Sequence, residues 1–153
     1  MVLPNEATKI LNAKFPGFSK TEYWENFKSI KYGVEEEAIK FHGVMTAFTD
    51  YVTDLLNSKE TNNAEKQNVF LLIEEFICNG DNSVKGAASA SFLENLINYI
   101  AWGDLNSEQF IHYLGEKSKK FCKKWDEFTG VPTPGLWKKG EFKGQRNPVD
   151  GWL

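Results

Sequence analysis

Residues 79–85, Asn79-Gly80-Asp81-Asn82-Ser83-Val84-Lys85, decide how this chain reads, because they set a polar turn between two apolar stripes of helical period. Before the turn, Val69, Leu72, Ile73, Phe76 and Ile77 recur at spacings of three and four, which places them on one face of a helix. After it, Val84, Ala88, Phe92, Leu96 and Ile100 fall every fourth residue, with Ala87, Leu93 and Ile97 widening the stripe. Two such helices joined by a tight turn bury their apolar faces by folding back on one another, so residues 65–102 are expected to form an antiparallel helical hairpin. Gly80 is expected in the left-handed conformation that ends the first helix, with Asp81, Asn82 or Ser83 capping the second.

On the N-terminal side, Asn5 to Lys14 reads as a short helix stopped by Phe15-Pro16-Gly17, since a proline disfavours helical geometry in the residue before it. Ser19 and Glu22 have the spacing of a capping box, opening a helix with Tyr23, Trp24, Phe27 and Ile30 inward and Gly33 at its end. Glu35-Glu36-Glu37 suits the positive end of a following helix dipole. From there Val34, Ala38, Phe41, Met45, Phe48, Val52 and Leu55 keep a nearly heptad spacing, which predicts a long central packing helix. Asn57 to Ala64 reads as a polar loop. Within the hairpin, Gly86-Ala87-Ala88-Ser89-Ala90-Ser91 is a run of small residues that lets another helix approach closely.

On the C-terminal side, Asn106 and Gln109 form a second capping pattern with Leu105 and Phe110 as its staple. Phe110, Leu114, Phe121, Trp125 and Phe128 then mark the apolar face of one helix ending at Gly130. Lys117, Lys119, Lys120, Lys123 and Lys124 are expected late in that helix, where its dipole favours cations. Beyond Val131 the prolines and glycines exclude continuous helix, yet Leu136, Trp137, Phe142, Val149, Trp152 and Leu153 favour burial at about 25 cal/mol per Å². The tail 131–153 is therefore expected to pack irregularly on a single all-α domain, 1–153, of about five to six helices.

At 153 residues such a domain buries roughly 68–70% of its unfolded surface without disulfides or metals. No apolar run approaches the roughly 20 residues of a membrane span, and the start lacks the basic and apolar regions of a signal peptide, so a cytoplasmic protein with no membrane contact is expected. Cys78 and Cys122 lack CxxC spacing and read as small buried hydrophobes. The net charge of −3 is unevenly spread. Residues 1–114 hold nine lysines and sixteen acids (−7), whereas residues 115–153 hold eight lysines, one arginine and five acids (+4). An acidic body disfavours direct nucleic-acid contact and suits a basic protein partner.

Motifs for chemistry are sparse. His42 and His112 stand seventy residues apart, outside HExxH or HxxxH spacing, and neither a phosphate-binding glycine loop nor a GxSxG turn occurs. Glu74-Glu75 are adjacent on a helix and point about 100° apart, as on a solvated face. The expected protein is thus a binder rather than an enzyme, with no metal or cofactor.

The turn at Asn79-Gly80-Asp81, the Val84 that follows, and the run Phe92-Leu93-Glu94-Asn95-Leu96 resemble small all-α bacterial immunity proteins with HEAT-like helical hairpins, of the contact-dependent growth inhibition or polymorphic toxin type. The resemblance implies a cytosolic antidote that binds the C-terminal toxin domain delivered by a neighbouring cell, often a nuclease such as an RNase, and blocks it without chemistry. Charge selects the candidate contacts: Glu35, Glu36, Asp50, Asp54, Glu74, Glu75, Glu94 and Asp104, with exposed aromatic residues as anchors. Two alternatives stay open, a HEAT-like adaptor for an endogenous protein and a small-molecule enzyme with a helical pocket.

Overall fold

The computed structural model describes residues 1–29, 37–60 and 62–144. Among these residues the protein is an all-α single domain without β-strands. Its helices are α1 (Pro4–Lys14), α2 (Glu22–Ser29), α3 (Glu37–Asn57), α4 (Asn63–Asn79), α5 (Asn82–Gly86), α6 (Glu94–Ala101) and α7 (Glu116–Thr129). A π-helical segment, Ala87–Leu93, joins α5 to α6 without leaving helical geometry, so these helices make six rods among the described residues.

α3 is the centre, packing against α1, α2, α4 and the π segment. Its Phe41, Met45, Phe48 and Val52 are all buried, as the heptad spacing predicts. Phe48 stacks on Phe92, and Phe92 meets Phe70 of α4 edge-on at 5.8 Å. That last contact joins positions on either side of the 79–82 turn, which establishes the antiparallel hairpin. Asn62 caps α4 by accepting from Glu65 N–H, so the polar loop is shorter than its composition implies.

The hairpin turn differs from expectation in one respect. Gly80 is extended (φ −73°, ψ 159°) rather than left-handed, and glycine is needed there for room. A Cβ at Gly80 would lie 2.5 Å from both Phe76 O and Val84 Cγ1. Asp81 is the cap of α5, its carboxylate accepting from Val84 N–H at 2.8 Å. The chain's second residue also closes the turn: Val2 N–H donates to Asn79 O (2.7 Å) and Asp81 N–H donates to Val2 O (2.8 Å).

The small-residue run lies largely within the π segment. Glu94 N–H reaches back five residues to Ser89 O, and the widened turn keeps Val84, Ala88, Phe92 and Leu96 all fully buried. In an undistorted α-helix each four-residue step drifts by about 40°, so a stripe spaced by fours turns away from its neighbour. The π turn absorbs that drift.

Other boundaries move for identifiable reasons. Residues 18–20 form a 3₁₀ turn, and Thr21 rather than Ser19 caps α2, its Oγ1 accepting from Trp24 N–H at 3.3 Å. The Asn106–Gln109 capping box is present, but on a 3₁₀ turn followed by a second one, Ile111–Tyr113. α7 starts afresh at Glu116, and its buried face is Ser118, Cys122 and Asp126; Phe121, Trp125 and Phe128 are half-buried. Cys78 is exposed, at the outward end of α4. Ile30, Gly33, Val34, Glu35 and Glu36, like Val149, Trp152 and Leu153, lie outside the described residues.

Candidate functional site

α3 presents one face to a long groove. Gly43, Thr46, Ala47, Asp50, Thr53, Asp54 and Asn57, spaced by three and by one, form its floor. Tyr23, Asn26 and Phe27 of α2 line one wall, while Tyr99 of α6 and Asp104 of the following loop line the other. The end near Gly43 has a volume of about 320 Å³ and includes Phe27 and Ala47. The end near Asn57, about 440 Å³, gathers Asp50, Asp54 and Asp104.

The two tyrosines orient the carboxylates. Tyr23 OH donates to Asp54 Oδ2 at 2.8 Å, and Tyr99 OH donates to Asp50 Oδ1. The bond to Asp54, then burial, pushes the Tyr23 phenol up to about 12. Burial, followed by the bond to Asp50, pushes Tyr99 higher still. Both phenols therefore remain donors at neutral pH, each engaging one carboxylate oxygen. Asn57 Nδ2 donates to Asp104 O (3.2 Å), and Gln109 Nε2 donates to Leu56 O (3.0 Å) and Asn57 Oδ1 (2.9 Å), which pins the 104–109 loop to the end of α3. Next to this wall Trp102 is 68% exposed, its ring 5.5 Å from Tyr99. An anionic cleft beside an open indole suits a cationic side chain, which gains charge pairing and an aromatic face together.

Three of the charge-selected candidates, Asp50, Asp54 and Asp104, are thus brought together. The others are not. Glu74 is a fastener: it accepts from Lys117 N–H (2.8 Å), Ser118 N–H (2.9 Å) and Ser118 Oγ (2.8 Å), capping α7 from another helix. Burial raises its carboxyl, but these donors outweigh burial and hold it below the ordinary value. Gly115 makes the approach feasible, since a Cβ there would lie 2.6 Å from Glu74 Oε1. Glu75 is exposed on α4, and Glu94 is half-buried with its carboxyl raised by burial; neither lines the groove. Glu35 and Glu36 fall outside the described residues.

Sequence reading missed Tyr23, Tyr99 and Trp102 as site residues. It also missed a polar tie at the π segment, where His42 Nδ1 lies 2.7 Å from Ser91 Oγ. Ser91 O accepts from Asn95 Nδ2 at 2.9 Å, and Thr49 Oγ1, buried, lies 2.9 Å from the same carbonyl. A hydroxyl against an imidazole is two parts of a nucleophile arrangement, but among the described residues no side chain hydrogen-bonds the other ring nitrogen of His42. The pair joins α3 to the π segment. Among the described residues no cluster of three or more His, Cys, Asp or Glu is placed to hold a metal ion, and no helix is long and apolar enough to cross a membrane.

Fold and groove together define an all-α single domain with an acidic, aromatic-edged groove. The chain belongs to the family described as a domain of unknown function, DUF7674, whose profile matches residues 8–130, from α1 through the end of α7. No curated protein and no solved structure matches it.

Proposed function

We propose that this protein is a binding protein which captures a basic protein domain in the α3 groove, and that it serves as an immunity protein neutralising a nuclease toxin. The convergence of Asp50, Asp54 and Asp104 beside exposed Trp102 carries the reading. Nuclease domains grip phosphate with lysine and arginine, so a preorganised anionic cleft competes for the same side chains and steers their approach. Trp102 supplies the large aromatic contact on which tight interfaces depend. Binding in the cytoplasm and without chemistry is part of the proposal.

Co-expression with the C-terminal domain of whatever secreted protein the adjacent upstream gene encodes tests it. Growth rescue and co-purification are expected, with both abolished by Asp50→Lys together with Asp54→Lys and weakened at least tenfold by Trp102→Ala. Binding without growth rescue would indicate an adaptor for another protein instead. Full rescue by the doubly reversed variant would remove the groove from the interface.

A further inference from the structure

The basic end of the chain has no role in this reading, and the structure removes the reason that the sequence offered for it. α7 begins at Glu116, so Lys117 stands in its first turn and Lys119 and Lys120 in its second, while its last turn holds no basic residue. The helix dipole opposes cations there. The lysines also oppose one another, since Lys117 and Lys120, Lys119 and Lys123, and Lys120 and Lys124 are helical neighbours. Of the five, Lys123 alone is ion-paired among the described residues, with Glu141 at 2.6 Å. That pair, with Lys123 Nζ 5.2 Å from the Trp137 ring centroid, draws residues 137–141 against α7 and brings exposed Lys138 and Lys139 alongside.

We propose that this lysine face binds single-stranded nucleic acid through its phosphates. The cations are all lysine, point charges that pair with phosphate oxygens one by one without a fixed bidentate geometry. Lys117, Lys120 and Lys124 span about 10 Å of helix, a row along which each ammonium can meet one phosphate of a flexible strand. Trp137 and Phe142, half-buried and packed edge-to-face at 5.0 Å, set aromatic rings among the lysines, as sequence-tolerant single-strand binders do. A lipid surface would call for exposed apolar side chains beside the charges, and Val131 is the one large example in this segment among the described residues. This departs from the expectation of no direct nucleic-acid contact, which assigned these lysines to the end of a helix dipole, and it concerns a face separate from the α3 groove.

Fluorescence anisotropy of the intact protein with a labelled oligouridylate or oligothymidylate strand tests the proposal. Binding at low salt is expected to weaken as salt rises, with a log–log slope of about −0.7 for each phosphate engaged. Lys117→Glu, Lys120→Glu and Lys124→Glu together should weaken it at least about tenfold and remove about two units of that slope. Lys9→Glu with Lys85→Glu, exposed positions elsewhere, should change it less than about twofold. Lys117 lies beside Glu74 and favours its charge, so a thermal melt accompanies each variant, and a triple Lys→Gln variant gives the same binding readout without charge reversal. Absence of binding at low salt, undiminished binding by both triple variants, or tighter binding to polyglutamate or anionic phospholipid vesicles would overturn it.

Discussion

The α3 groove and the α7 end use opposite charges in opposite ways. In the groove the carboxylates of Asp50 and Asp54 each spend one oxygen on a tyrosine hydroxyl and line an open cleft. At the α7 end two carboxylates are consumed in holding the fold. Glu74 caps the helix, and fully buried Asp126 accepts from Thr133 N–H (2.6 Å), Thr133 Oγ1 (2.8 Å) and Trp137 Nε1 (2.7 Å), tying down the segment beyond the helix. There exposed Lys117, Lys119 and Lys120 outnumber the exposed Glu116. Net charge alone thus says little about which groups are available; the number of bonds each one already makes says more.

Four outcomes would break or sharpen this contrast. The largest concerns Asp126. Asp126→Ala leaves three donors without an acceptor and should lower unfolding stability by about 3 kcal/mol in urea titrations, with a loss under about 1 kcal/mol counting against its role as a fastener. Gly115→Ala comes next, at about 1–3 kcal/mol. The residue has an ordinary φ of −75°, so the loss would arise from expelling Glu74, visible as faster amide exchange at Lys117 and Ser118.

The third is a pH dependence. The folded carboxyl of Glu74 lies below its ordinary value of 4.5, so its contribution is complete above that pH and is lost as pH falls through the lower folded value. Glu74→Gln should flatten the stability curve in that acidic window, and an unchanged slope would assign the acid loss elsewhere. The smallest effect belongs to the groove. Asp54→Asn should alter stability by less than about 0.5 kcal/mol, yet return the Tyr23 phenol from about 12 toward 10.0 in an alkaline absorbance titration. Because that phenol is raised by folding, its contribution is complete below pH 10 and vanishes as pH rises through about 12.

The architecture was legible where periodicity carried it. Phe41, Met45, Phe48 and Val52 announced α3, and the stripe from Val84 to Leu96 held even the π turn, once a strict spacing of four is recognised as too long for an α-helix. The acidic floor was half legible, since Asp50 and Asp54 stand one turn apart on a helix already identified. Its walls were not: Tyr23 meets Asp54 across 31 residues and Tyr99 meets Asp50 across 49, distances at which local pattern carries no signal. Glu74 was misread for the same reason. Its solvated appearance on α4 gave no hint of Ser118, 44 residues later. Helix capping across that interval also split one expected helix at Gly115 and displaced the lysines from its end to its beginning.

Val2 carries a consequence for how the molecule is made. Both of its backbone bonds go to Asn79 and Asp81, so Val2 waits for partners that leave the ribosome much later. Fastening this stretch is therefore a late, long-range closure. Any polypeptide fused ahead of Met1 would emerge beside the hairpin bend.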